Sequence, residues 1–172
     1  MGYLDLNVVY VGYEDFAQGD YNKVGYAIDK YLPSIYGKVG LRLGAVSYYA
    51  ISNRQWSSSI DESDTEALTD RYTVPDSGVD VFVVRTLHGA EGVSEQNGSC
   101  DKNSSSGRTG VVVSLQGDCH NVGNTFAHEI GHYLGLEHCD EEGNFMYPSS
   151  NSYDGIYAWQ GEKMNQHCFV YG

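Results

Sequence analysis

One segment near the carboxyl end constrains this chain more than any other: FAHEIGHYLGLEHCDEEGNFMYPSS, residues 126–150. It places His128 and His132 four residues apart, so that both side chains lie on one face of an α-helix. Two imidazoles in this arrangement can bind one tetrahedral zinc ion. Glu129 follows the first histidine and can lean over the metal without binding it.

A third ligand has to come from outside that helix, because six further residues carry the helical face away from the metal. Gly135 solves this problem, since glycine adopts the left-handed conformation that commonly ends helices and lets the chain bring His138 back. Three protein ligands leave one position for water, which is the pattern of a catalytic zinc. A lone histidine is usually a core or surface residue, but five fixed positions in eleven form a known signature.

HEIGHYLGLEH followed by NFMYP resembles the metzincin clan of zinc endopeptidases, with Met146 at the position of the clan's Met-turn. The resemblance implies an α/β fold: a mixed, mostly parallel twisted sheet with two main helices above a zinc cleft. It also implies a small, irregular lower subdomain with one C-terminal helix. We therefore expect a single catalytic domain, residues 1–172, with an upper part of about 1–138 and a lower part of about 139–172.

The subfamily stays open because its markers disagree. The MYP tripeptide is similar to matrix metalloproteinases, whereas Cys139 directly after the third histidine is similar to archaemetzincins. Archaemetzincins use three further cysteines for a second zinc, and Asn144, Met164 and His167 stand at the corresponding positions here. The resemblance therefore implies one catalytic zinc. Calcium is conceivable at Glu91, Glu95, Asn97 and Asp101, but their spacing matches no EF-hand.

Hydrophobic periodicity predicts most of the remaining elements. Pro33 should end or kink the first helix near Leu32, and the zinc helix should start between residues 121 and 124. The predicted strands are 4–11, 41–51, 79–84 and 109–115, with a first helix capped by Asp20, a short helix from Asp64, an edge strand and loop in 89–107, and a last helix around 157–167.

Composition restricts the partners. The formal net charge is −13 and the sequence pI is about 4.6, so nucleic acid and anionic membranes would be repelled. No run of about 18 apolar residues exists, so membrane insertion is not expected. We expect a monomer that acts on protein or peptide substrates. Scarce lysine and an even number of cysteines favour secretion, with the targeting segment absent from the sequence given.

The four cysteines allow three pairings. The resemblance to archaemetzincins places Cys139 near the last helix and favours Cys139–Cys168, which leaves Cys100–Cys119. A resemblance to adamalysins would instead join Cys100 to Cys168. We expect the first scheme, because the second leaves Cys119 and Cys139 at the two ends of a long helix.

These observations predict a zinc-dependent endopeptidase in which His128, His132 and His138 bind the metal and Glu129 is the general base. By resemblance, an extended substrate pairs with an edge strand in residues 89–98. The segment 147–154 should line the pocket beyond the cleaved bond, with Tyr147, Pro148, Ser149 and Tyr153 as its candidate residues. The alternative is a catalytically silent peptide- or glycoprotein-binding module, against which the intact Glu129 argues.

Overall fold

The computed structural model describes residues 1–103, 107–149 and 153–172. Its described strands form a six-stranded sheet and a separate two-stranded one. The strands are β1 (Gly2–Val11), β2 (Leu41–Ile51), β3 (Ile60–Asp61), β4 (Val79–Val84), β5 (Leu87–His88), β6 (Gly92–Val93), β7 (Val111–Ser114) and β8 (Val170–Tyr171).

The main sheet is mixed and mostly parallel. Its order is β2-β1-β4-β7-β6, and β8 pairs with the start of β1. The β1–β2, β1–β4 and β4–β7 pairs are parallel, whereas β6 is antiparallel to β7 and forms one edge. The small sheet pairs β3 with β5 in parallel. The predicted α/β fold with a mostly parallel sheet is therefore confirmed.

Two long helical stretches pack on one face of this sheet, and shorter helices complete the chain. Among the residues that the structure describes, no helix is both long and apolar enough to cross a membrane. The α-helices are α1 (Gln18–Tyr26), α2 (Leu32–Tyr36), α3 (Arg54–Ser58), α4 (Thr65–Tyr72), α5 (Cys119–Tyr133) and α6 (Ala158–Met164).

The first long stretch was expected to end or kink near Leu32; it does not end there but continues past Pro33 as α2. A π-helical turn, Ala27–Tyr31, joins α1 to α2 and changes the hydrogen-bond register just before the proline. Pro33 then lies in the first turn of α2, where a missing N–H is tolerated. Asp20 is also not the N-cap; it lies within α1 and accepts a hydrogen bond from the backbone of Ala17.

The second long helix, α5, begins earlier than the periodicity predicts. Asp118 is its N-cap and accepts a hydrogen bond from the backbone of Asn121 at 2.9 Å. An aspartate that accepts such a bond stabilises the helix start. The helix therefore begins at Cys119 and not within residues 121–124.

Alternate residues of β4 face two separate apolar layers. Val81 and Val83 belong to the larger core, which lies between the sheet and α1, α2 and α5. Phe82 and Val84 belong to the smaller core on the opposite face. All six residues of β4 are buried, as a central strand covered on both sides requires.

The disulfide prediction is wrong. The structure joins Cys100 to Cys168 with a Cα–Cα distance of 6.0 Å, and Cys119 and Cys139 are free thiols. Neither Cys139–Cys168 nor Cys100–Cys119 forms. The reason is the path of the loop after β6, which runs past the end of α5. There the backbone oxygen of Gly98 accepts a hydrogen bond from His167, which brings Cys100 next to Cys168.

A buried ionic network fixes the same loop to the sheet. The Lys102 ammonium donates to the backbone oxygen of Val74 and to carboxylate oxygens of Asp76 and Asp80 at 2.8–3.1 Å. Asp80 is fully buried, and the side-chain amide of Asn7 donates hydrogen bonds to the carboxylates of both Asp76 and Asp80. Burial raises the pKa of Asp80, and the nearby Lys102 opposes that rise.

Replacing the cation of this network should be costly. Lys102→Met leaves Asp80 buried without its counter-ion, and we expect unfolding free energy to fall by about 3–5 kcal/mol. Urea denaturation at neutral pH measures the change. Asp76→Asn is the matched control, because that side chain is half exposed and should cost much less. Equal losses in the two variants would contradict a buried, charge-compensated Asp80.

Candidate active site and metal centre

Helix α5 brings the first two candidate ligands together on one face. The Nε2 atoms of His128 and His132 lie 3.1 Å apart. Two nitrogens bound to one tetrahedral zinc at about 2.0–2.1 Å are roughly 3.3 Å apart, so this spacing suits a shared metal. The helix achieves it because residues four apart project from successive turns.

His138 reaches the same point through the turn that ends α5. Gly135 has φ +104°, its N–H donates to the oxygen of His132, and Leu136 N–H donates to the oxygen of Gly131. This pair of bonds is a Schellman motif, which needs the left-handed conformation that glycine adopts without strain. The nitrogen ligand atoms of His128, His132 and His138, the histidine triad, all lie within 4.8 Å of one another.

Backbone carbonyls orient two imidazoles of the triad. Nδ1–H of His128 donates to the oxygen of Phe145 at 3.0 Å, and Nδ1–H of His132 donates to that of Leu136 at 2.7 Å. Each bond fixes the tautomer that leaves Nε2 as a free lone pair. Burial lowers the pKa of His128 to about 4 and also lowers that of His132, so both stay neutral and ready to bind metal near pH 7.

Met146 lies fully buried beneath α5 and serves as packing. A Cβ added at Gly131 would lie 2.7 Å from the Met146 sulfur. Residue 131 of α5 therefore has to be glycine for the turn that contains Met146 to approach the helix. The turn is held by two backbone bonds: Cys139 N–H donates to the oxygen of Met146, and Phe145 N–H donates to that of Gly155. The predicted Met-turn position thus lies under the triad.

Glu129 lies in the cleft with only 8% of its surface exposed. Burial raises its pKa to about 8; Arg108 opposes this rise and Glu62 adds to it. A bound dication would lower this pKa again by direct attraction. Within the described chain, no donor is hydrogen-bonded to the Glu129 carboxylate, which leaves it available to a ligand.

The edge strand β6 runs directly over Glu129. A Cβ added at Gly92 would lie 2.6 Å from Cγ of Glu129 and 2.8 Å from Cγ2 of Thr125. Real Cβ atoms do not come this close, so the glycine permits the strand and the carboxylate to occupy adjacent space. A shift of β6 at Gly92 would therefore displace the Glu129 side chain, and a shift of that side chain would displace the strand.

The triad and Glu129 line a cavity of about 520 Å³. Pro148 and Ser149, two of the four candidate pocket residues, are part of its lining. Tyr147 and Tyr153 lie outside that lining and pack against each other with ring centroids 5.8 Å apart. Residues 150–152 of the predicted pocket segment lie outside the described residues.

Sequence patterns do not reveal several members of this cleft. Gly92 and Glu62 reach it only through long-range packing, and no local signal marks them. Asn124 could have been found, because it precedes His128 by one helical turn on the same face. Its amide donates to the hydroxyl of Tyr31 and to the backbone oxygen of Tyr153, so it ties α5 to the first long helical stretch and to the chain at Tyr153.

Other metal candidates do not assemble within the described ranges. One further group of possible ligands comprises Cys100, His167 and Cys168, but its two cysteines are joined in the disulfide. The acidic residues considered for calcium do not converge, and Glu95 instead pairs with Arg108 at 2.9 Å. The triad is thus the one group in the described chain suited to a metal ion.

Comparison with known proteins places this site in a family. The model of the Metallo-peptidase family M12B, Reprolysin-like, matches residues 26–139, which is more than half of the chain. No curated protein matches the sequence. Among the solved structures that are similar in fold are two with 17% sequence identity and a TM-score of 0.64 each.

One of them is archaemetzincin from Methanopyrus kandleri, where the match covers 96% of this chain and 95% of that one. The other is metalloproteinase-II from Bacteroides fragilis, where it covers 95% of this chain but 52% of that one. The chain therefore spans about half the length of the Bacteroides protein. It belongs to the reprolysin-like metallopeptidases of family M12B, within the metzincin clan, and this family implies a zinc cofactor and peptidase activity.

The contact between Gly92 and Glu129 can be tested directly. Gly92→Ala forces β6 or the carboxylate to move, and we expect peptide hydrolysis to fall about 10- to 100-fold, since displacements near 1 Å can cost that much. Zinc content should not change. Gly25→Ala is the control, because its Cβ meets nothing within 4 Å. Full activity of Gly92→Ala would show that Glu129 does not depend on the edge strand.

Proposed function

We propose that this chain is a zinc-dependent endopeptidase that uses Glu129 as the general base. The observation that carries the proposal is the convergence of three imidazoles beside a buried, unpartnered carboxylate under an edge strand. Family membership supports the coarser activity, and the residue roles follow from the geometry. No other arrangement in the described chain combines a metal-binding group with an adjacent acid.

The histidine triad fits a zinc ion by its chemistry. It offers three imidazoles, two of them oriented through Nδ1 by backbone carbonyls, and the fourth position would be left to water. Zinc held there would polarise the scissile carbonyl and acidify a water molecule. Met146 takes no part in binding, because a thioether is a poor ligand beside three imidazoles.

Glu129 then performs the proton transfers. Its carboxylate accepts a proton from the attacking water and returns one to the leaving amine. Its position between α5 and Gly92 keeps it close to the triad and limits the orientations that it can adopt. Holding the base in place lowers the entropic cost of aligning it with water.

The substrate is proposed to add a strand to β6. That strand pairs with β7 on one side, and among the described strands it has no partner on the other. An extended peptide can pair with such an edge through backbone hydrogen bonds, while pockets select its side chains. Pro148, Ser149 and Asn124 would line the pocket beyond the cleaved bond.

Cleavage of internal bonds agrees with the charge of the cleft. Its described lining contains no lysine or arginine that could hold a free carboxyl terminus, which disfavours a carboxypeptidase. We also propose that the protein works as a secreted monomer. The Cys100–Cys168 disulfide supports an oxidising compartment.

Replacing the general base should abolish turnover and leave the metal in place. Glu129→Gln keeps the shape of the side chain but cannot accept the proton, so we expect kcat to fall at least 10²–10⁴-fold. Casein digestion and metal content are measured for both proteins. Glu137→Gln is the control, because that exposed carboxylate binds Gln96 outside the cleft.

Two outcomes would redirect the proposal. Equal proteolysis by wild type and Glu129→Gln would remove Glu129 from the reaction. A zinc-loaded wild type that cleaves no member of a broad peptide library, yet binds peptides, would support the silent binding module instead.

The metal itself gives a separate prediction. Purified protein should contain about one zinc per chain, and a strong chelator should remove both the metal and the activity. Returning zinc should restore activity, and His132→Ala should prevent zinc uptake. Two zinc ions per chain would contradict the single-site interpretation.

A further inference from the structure

The cleft carries two carboxylates to which the proposed reaction gives no role. Three carboxylates line its described part, those of Glu62, Glu91 and Glu129, and no basic side chain does. Glu129 is accounted for as the base, and the histidine triad as the metal-binding group. Glu62 and Glu91 are both exposed, come from different segments and have no assigned role.

The nearby Arg108 does not neutralise the carboxylates of Glu62 and Glu91. The Arg108 guanidinium donates to a carboxylate oxygen of Glu95 at 2.9 Å, to the hydroxyl of Thr65 at 2.6 Å and to the backbone oxygen of Glu62 at 3.1 Å. It thus fixes the backbone at Glu62 while its charge is compensated by Glu95. Among the described residues, neither Glu62 nor Glu91 takes part in an ion pair.

Both acidic residues have a rigid backbone and share space with the base. Ser114 N–H donates to the backbone oxygen of Glu91 at 2.8 Å, which fixes the residue that precedes β6. Glu129, nine-tenths buried in the same cavity, has no hydrogen-bond donor from the described residues. Its carboxylate oxygens are not among the enclosed atoms without a partner, which in the described chain are Ser57 Oγ and Thr109 Oγ1, so they open into the cavity and can meet a ligand.

We propose that the cleft selects peptides with a lysine or arginine side chain, held by Glu62 and Glu91. This inference rests on the proposed function, whose substrate class it names. Arginine suits the site best, since its planar fork can donate to carboxylates of two separate segments at once. Calcium is a poorer occupant, because two carboxylates supply too few of its six to eight oxygen ligands.

Binding measured without turnover tests the inference. Zinc-loaded Glu129→Gln protein is immobilised and exposed to pools of N-acetylated, C-amidated peptides that differ only in arginine or citrulline at one position. Citrulline keeps the shape of arginine but lacks the charge. We expect arginine peptides to be retained about 5- to 25-fold better, up to about fivefold for each exposed carboxylate. The preference should fall as salt rises.

Neutralising the two carboxylates should remove the preference. In the Glu129→Gln background, each further change, Glu62→Gln or Glu91→Gln, should lower the ratio of arginine to citrulline peptide retention about two- to fivefold. Both changes together should bring this ratio near one. Glu162→Gln is the matched control, since it removes the same charge from an exposed position on α6 outside the cleft. It should leave the preference unchanged.

Three outcomes would overturn the inference. Equal retention of arginine and citrulline peptides would do so, as would a loss caused equally by Glu162→Gln, which would indicate net charge alone. A citrulline peptide with a free amino terminus that binds as well as acetylated arginine peptide would assign the acids to the terminal amine. Arginine selectivity in binding, with no cleavage by wild type, would refute only the proposed endopeptidase activity.

Discussion

Two hydrogen bonds from imidazole Nδ1 groups to backbone carbonyls are the interactions on which the site depends. His132 is tied to the turn that follows α5, and His128 is tied to the loop that ends at Met146. Both bonds hold the rings so that Nε2 faces the common point of the triad. The metal centre is therefore a property of the folded turns as much as of the helix, since an isolated helix would leave both rings free to rotate.

A buried amide pair holds one of those turns. Asn144 and Gln160 exchange two hydrogen bonds at 2.9 and 3.0 Å, and Met146 N–H donates to Asn144. Helix α6 thereby supports the loop beneath the triad. By resemblance, archaemetzincins place a cysteine of their second zinc at the position of Asn144. Here hydrogen bonds between two fully packed amides provide the cross-link, and the pair is stable because each polar group is satisfied.

Local patterns predicted the parts of this molecule that depend on neighbours in sequence. The buried strand Val79–Val84 and the spacing of His128 and His132 were predictable because side-chain direction repeats every two or four residues. The continuation of the helix past Pro33 was not predictable from the proline alone, because a π-helical turn shifts the hydrogen-bond register before it. The choice between the two disulfide schemes and the contact of Gly92 with Glu129 were not predictable from local patterns, since both depend on which distant segments meet. A rule that every cysteine must pair also failed, because Cys119 and Cys139 stay reduced.

The loop between β6 and β7 explains how those distant parts are coordinated. Its described residues, 94–103 and 107–110, have little regular structure, yet Asn97 and Gly98 donate to the last carbonyls of α5, and the disulfide joins the loop to the carboxyl-terminal segment. Lys102 anchors it to the buried carboxylate of Asp80 in β4. An edge strand of two residues cannot hold its own position by pairing alone. The anchored loop supplies the missing constraint, and through Gly92 it sets the space in which the base can lie.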